Sequence, residues 1–148
     1  MMLVELEPVT TDNWRALTRL TVHPDQRDFV SDVPFYLAMC AYGGLWHPLA
    51  GTLDGQVVGL CMWAVDDDRS RWIGGVVVDA ARQRQGIGRA MVTALRDQLA
   101  TVPGTPNVAL SYRPDNIAAR TLYLDLGFVE TGETEGDEVV ARWRTPTG

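Results

Sequence analysis

The stretch Val76-Val77-Val78-Asp79-Ala80-Ala81-Arg82-Gln83-Arg84-Gln85-Gly86-Ile87-Gly88-Arg89-Ala90 holds the residues best suited to grip an anion. An apolar run enters a glycine-bearing turn, and an amphipathic pattern follows. The first N–H groups of a helix have no intrahelical partners, and the macrodipole adds positive potential there. With no Cβ at Gly86 and Gly88, a phosphate can come close to those N–H groups. Arg84 and Arg89 would add charge at the rim. Two nucleotide motifs fail on this loop. A Walker loop needs Gly-Lys-Ser/Thr, and the chain contains no lysine. A Rossmann fingerprint needs three glycines directly after an N-terminal strand, and only two occur here, after the fourth expected strand.

A second chemical candidate lies in Asn116-Ile117-Ala118-Ala119-Arg120-Thr121-Leu122-Tyr123-Leu124-Asp125-Leu126-Gly127-Phe128. On a helix, Asn116, Ala119 and Tyr123 share one face. Asn116 can cap that helix and Gly127 can stop it. Leu122, Leu126 and Phe128 read as core. The Tyr123 phenol, with an ordinary pKa near 10, keeps its proton at neutral pH. The chain shows no nucleophile–base pair; Ser111 sits in SYRPDN, without a G-x-S-x-G elbow.

Holding these residues together requires a framework of alternating elements. Residues 2–8 read as a strand. Asp12 is placed to cap a helix at 13–20, with Trp14, Leu17 and Leu20 on one side, broken by His23-Pro24. Residues 33–42 read as a helix ended by Gly43-Gly44. Asp54-Gly55 between 48–53 and 56–65 signals a hairpin. Residues 71–79 form a strand whose Val76-Val77-Val78 run predicts burial on both faces. Ile87, Met91, Leu95 and Leu99 make one stripe of a helix reaching about residue 100. A strand at 107–112, a helix at 117–126 and a hairpin of 128–131 with 138–144, around the acidic segment 133–138, complete the chain. The order is β-α-α-β-β-β-α-β-α-β-β, read as one α/β domain spanning 1–148.

Composition narrows the function. The net charge is −6, and all 13 basic residues are arginine. Residues 81–120 carry six arginines against Asp97 and Asp115, a balance of +4, so the remainder carries −10. A basic island in an acidic chain suits an anionic ligand, whereas the overall balance argues against nucleic acid. No apolar run approaches the roughly 20 residues needed to span a bilayer. No secretory signal is visible, so a cytoplasmic location is expected. Cys40 and Cys61 sit in apolar surroundings and read as reduced thiols. His23 and His47 offer too few ligands for a metal, so none is expected.

Gln83-x-x-Gly86-x-Gly88 after an apolar strand resembles the pyrophosphate-binding motif of the GNAT acetyltransferase superfamily. The segment from Asn116 to Phe128 resembles that superfamily's second signature, N-x-x-A-x-x-L-Y-x-x-L-G-F, with every named position filled. The resemblance covers residues 56–144; the first 55 fit the family's variable, acceptor-selecting part. It implies a mixed, mostly antiparallel twisted sheet of about seven strands flanked by four helices, and acetyl-coenzyme A as co-substrate. It further implies that Gln83, Arg84, Gln85, Gly86, Ile87, Gly88 and Arg89 surround the pyrophosphate. Val76, Val77 and Val78 would pair with the pantetheine arm, as an extra strand would. Asn116 and Ala119 would face the cofactor, and Tyr123 would donate to its sulfur. Members are often homodimers.

Acetyl transfer to an amine needs a neutral amine, a polarised carbonyl and a proton for the leaving thiolate. A backbone N–H near Val78 could polarise the carbonyl. The family's usual base position falls on Gly74, with Gly75 next, and neither can act. Another carboxylate working through water, or an amine arriving deprotonated, stays open. Gln26-Arg27-Asp28-Phe29-Val30, with Trp72, resembles bacterial spermine/spermidine acetyltransferases. A primary amine of a small molecule, such as a polyamine, is therefore the expected acceptor. A protein amine, an antibiotic, or a non-catalytic coenzyme A-binding role are the alternatives.

Overall fold

The computed structural model describes residues 3–146. Its elements are β1 (Val4–Pro8), α1 (Trp14–Thr18), a 3-10 turn at Pro24–Gln26, α2 (Val33–Tyr42), β2 (His47–Leu53), β3 (Gln56–Val65) and β4 (Arg71–Val78). A second 3-10 turn at Ala80–Arg82 leads to α3 (Ile87–Ala100), β5 (Asn107–Tyr112), α4 (Ile117–Asp125), β6 (Val129–Glu135) and β7 (Glu138–Arg144). The seven strands form one sheet in the order β1-β2-β3-β4-β5-β7-β6. Every neighbouring pair is antiparallel except β4 with β5. The expected element order and mixed sheet are both present. At the β2–β3 turn, Asp54 and Gly55 adopt φ of 50° and 78°, the left-handed pair that a two-residue primed turn requires.

The core explains why the chain holds this shape. The α3 stripe of Ile87, Met91, Leu95 and Leu99 is fully buried. It packs with Val58, Ile73, Val108, Leu110 and Phe128 on one face of the sheet. On the other face, Leu17 of α1 and Val33 of α2 cover Ala50, Leu60 and Val77. Truncating a fully buried leucine such as Leu95 to alanine costs about 2–5 kcal/mol.

The sheet parts in its middle. β4 and β5 pair only at Arg71 opposite Val108 and Trp72 opposite Ala109. Beyond these residues the strands diverge, and the β5-facing edge of β4 has no strand partner among the described residues. On its other edge β4 carries a bulge, because the register with β3 slips between Leu60 and Met62. Gly75 sits in that bulge with φ of 55°. Two helices start at the open end: α3 after β4, and α4 after β5.

Several local expectations change. Asn13, not Asp12, stands at the N-cap of α1. Its amide is tied into the preceding turn, accepting from Thr10 N–H at 2.8 Å and donating to the Pro8 carbonyl at 3.0 Å. α1 is shorter than expected, and Trp14 lies outside the core, with the Arg15 guanidinium 4.5 Å above its ring. Val77 is buried, but Val76 and Val78 are only half-buried, because β5 turns away where a covered strand would need it. β6 continues to Glu135 through the acidic segment, with Thr134 opposite Val139 and Glu135 opposite Glu138. Its glutamates discourage pairing at this sheet edge. Met2, expected in the first strand, lies outside the described residues.

Candidate active site

The gap between β4 and β5 opens into a cavity of about 850 Å³. One wall is β4 from Ile73 to Val78, and the other is Leu110, Ser111 and Tyr112 of β5. The first turn of α3 and the Asn116–Tyr123 face of α4 close its open end. Gln26, Phe29, Tyr36 and Trp46, from the N-terminal third, line the opposite side.

The turn before α3 is held from within. The Gln83 carboxamide donates to the Val78 carbonyl at 2.9 Å, fastening the turn to the end of β4. It also exchanges two hydrogen bonds with the Gln26 carboxamide, at 3.2 and 3.0 Å. Gly86 is the N-cap of α3, with φ of 80°, and no side chain caps the helix. A Cβ at Gly86 would meet nothing within 4 Å, so this position faces open space. The free N–H groups of α3 therefore face the cavity side without a covering side chain, an arrangement that suits an anion.

Of the expected turn residues, Gln83, Arg84, Gly86, Ile87, Gly88 and Arg89 line the cavity together with Val76, Val77 and Val78. Gln85 does not: it is exposed, because the strained turn through Arg84, at φ of 64°, carries it off the lining. Arg89 pairs with Asp125 across the helices. Arg82, a lining residue not singled out from sequence, donates to the Gln56 amide oxygen at 2.6 Å.

Asn116 caps α4 through its side chain, accepting from Ala119 N–H at 3.3 Å. Asn116, Ala119 and Tyr123, on one face of that helix, all line the cavity. Tyr123 is 9% exposed and packs at 5.6 Å from the Tyr112 ring and 6.2 Å from the Phe128 ring. Its phenol is pushed up to about 12, chiefly by burial and next by the charge of Glu138. The proton therefore stays on the hydroxyl well above neutral pH. Tyr112, by contrast, spends its hydroxyl on the Glu130 carboxylate at 2.8 Å.

The remaining wall holds residues that only tertiary structure brings in. A Cβ at Gly74 would lie 2.9 Å from the Trp46 indole, so glycine is what lets that ring lie against β4. Trp72 lines the cavity with its indole N–H buried and unpartnered. Three carboxylates border the space: Asp66, Glu135 and Glu138. Glu138 alone of these is half-buried. Among the described residues no group of three or more histidine, cysteine or acidic side chains could hold a metal ion. No helix there is long and apolar enough to cross a membrane.

The model of the acetyltransferase (GNAT) family matches residues 13–128. The chain belongs to that family. Spermine/spermidine N(1)-acetyltransferase of Bacillus subtilis (strain 168) is 27% identical to it over 150 residues, covering 95% of this chain and 99% of that protein. The aminoglycoside acetyltransferase AAC(6')-Ib, solved with coenzyme A and kanamycin, superposes with a TM-score of 0.78 at 20% identity, over 98% of this chain and 96% of that one. RimJ of Mycobacterium smegmatis, solved with CoA-disulfide, gives a TM-score of 0.75 at 22% identity, over 97% and 83%. This GNAT N-acetyltransferase thus carries the Gln83–Arg89 turn and the Asn116–Tyr123 helix face on opposite lips of one cleft, at the ends of the parallel strand pair β4–β5.

Proposed function

We propose that the protein transfers the acetyl group of acetyl-coenzyme A to a primary amine of a small molecule by direct attack, with both substrates bound together. The observation that carries this reading is the parted sheet, with an uncapped helix start at one end and a protonated, cavity-facing phenol beside it. The open edge of β4 at Val76–Val78 offers main-chain groups to an extended amide-bearing arm. The α3 N-terminus, opened by Gly86, with Gln83 and Arg84 alongside, takes the pyrophosphate. Gly88, Ile87 and Arg89 continue that cradle, and Asn116 and Ala119 flank it. The thioester supplies an activated acyl group. Tyr123 gives its proton to the departing sulfur.

A polyamine is the acceptor best matched to the opposite wall. Tyr36 and Trp46 add aromatic surface of the kind that attracts ammonium groups, Phe29 being already covered by Arg113 at 5.2 Å, and Asp66, Glu135 and Glu138 add negative charge. The Bacillus relative, aligned over nearly its whole length, is named for spermine and spermidine. The test is free-thiol release from acetyl-coenzyme A with spermine, spermidine, putrescine, kanamycin and free amino acids. The expected result is fastest turnover with a polyamine. Kanamycin turning over while polyamines stay inert would move the acceptor class. No turnover with any of them, and no stabilisation by acetyl-coenzyme A, would remove the enzymatic reading.

A further inference from the structure

We infer that Glu138 is the group that takes the proton from the acceptor amine, and that Ser111 positions it. This rests on the acetyl transfer proposed above. Gly74 leaves β4 without an acid-base side chain at the bulge, and the Trp46 indole fills the space that a longer residue there would need. A carboxylate serving the cavity must therefore come from another element.

Three candidates border the space, and their placement separates them. Asp66 is exposed in the turn between β3 and β4, beside the closed end of the gap where Arg71 pairs with Val108. Glu135 is exposed at the tip of the β6–β7 hairpin. Glu138 starts β7, is half-buried, and accepts the Ser111 hydroxyl hydrogen bond at 2.8 Å. Ser111 itself stands on the β5 wall of the cavity. Glu138 and Tyr123 both line the cavity, and after burial the charge of Glu138 helps push the Tyr123 phenol up. A carboxylate and a protonated phenol on one cavity suit one group to accept a proton while the other donates.

The neighbours leave the carboxylate available. Ser111 faces it from β5 and Glu135 stands opposite it across the hairpin, while Tyr112 turns to the other face of β5 and bonds Glu130. The nearby cation, Arg113, is engaged by Asp115 at 3.0 Å and Asp137 at 3.9 Å. Glu138 has no ion-pair partner among the described residues.

The protons balance. Glu138 removes one from the ammonium, directly or through one water. The freed lone pair forms the C–N bond, and the C–S bond breaks. The Tyr123 proton goes to the sulfur, and the nitrogen's second proton returns to the Tyr123 oxygen through solvent. The proton on Glu138 leaves to bulk water before the next turnover.

The test is the pH profile of kcat/KM for Glu138→Gln, Glu138→Asp and Ser111→Ala, using whichever amine of the panel above the wild type acetylates fastest. An aliphatic amine with pKa near 10 is only about one part in 10³ neutral at pH 7, so a lost base matters most there. Glu138→Gln is expected to lose about 10²-fold at pH 7, with the deficit shrinking toward pH 10 as the amine deprotonates unaided. Glu138→Asp and Ser111→Ala should fall between it and the wild type. Acetyl-coenzyme A affinity should be unchanged in all three, and melting temperature unchanged in Glu138→Gln, which keeps an acceptor for Ser111. Wild-type kcat/KM in Glu138→Gln at pH 7, or a loss equal at every pH, overturns the role. If the wild type acetylates no amine of the panel, the proposed activity fails and this role falls with it.

Discussion

The carboxamides of Gln26 and Gln83 lie head to tail, each donating to the other's oxygen, at 3.2 and 3.0 Å. They join the 3-10 turn that enters the acceptor side of the cavity to the loop that starts α3. Gln83 spends its amide N–H groups on both Gln26 and the Val78 carbonyl. Replacing Gln26 with leucine removes only the cross-link, whereas Gln83→Leu also frees the loop from β4. At about 1 kcal/mol per hydrogen bond, acetyl-coenzyme A affinity should fall by up to about 30-fold in Gln26→Leu, which loses two bonds, and further in Gln83→Leu, which loses three. Calorimetric titration checks the order, and equal or reversed losses contradict the anchoring.

Gly86→Ala separates backbone strain from ligand exclusion. The added methyl meets no protein atom, yet φ of 80° disfavours any side chain. Gly132, with φ of 91° and equally open surroundings in the exposed β6 strand, is the matched control. Both substitutions should cost about 1 kcal/mol of stability. Only Gly86→Ala should lose the rise in melting temperature produced by millimolar acetyl-coenzyme A.

Tyr123→Phe keeps the ring between Tyr112 and Phe128 and deletes the cavity-facing hydroxyl. kcat should drop by about 10-fold to 10³-fold, with cofactor affinity and melting temperature little changed. Full kcat where chemistry limits turnover would make Tyr123 a packing residue.

Acid titration should report the ion pair on the sheet edge. Arg142 holds both oxygens of Glu133, at 2.8 and 2.9 Å, and lowers that carboxyl from 4.5 to about 2. A depressed carboxylate stabilises above its unfolded value and loses that contribution as pH falls through the folded one. Stability should therefore decline between pH 4.5 and about 2, and Glu133→Gln should flatten the slope there. Because Glu133 is exposed, the effect should be small and weakened by salt. Denaturation midpoints across that range measure it.

The sequence makes one half of the cavity readable because its signals are local. The turn at Gly86, the cap at Asn116 and the α3 stripe each depend on residues within a few positions of one another. The opposite half depends on register between distant segments. Ser111 meets Glu138 across 27 positions, and Trp46 covers Gly74 from the far side of a hairpin. Nothing in a run reading Glu-Gly-Asp-Glu distinguishes the half-buried Glu138 from its exposed neighbours. The valines of β4 mislead for a related reason. An apolar run looks the same whether a helix covers it or a ligand channel does, and the parting of β5 is visible only in three dimensions.

That parting has a thermodynamic consequence. Beyond two pairs of residues, β1–β4 and β5–β7 are two ribbons buttoned at one end, with α3 as the backing that keeps them in line. A ligand arm lying along Val76–Val78 would supply the missing rungs, making a non-peptide molecule the eighth strand of the fold. Occupancy would then be a late step of folding as well as the first step of a reaction. Amide exchange at Val76–Val78 should slow on cofactor binding, while the α3 core stays as protected as before.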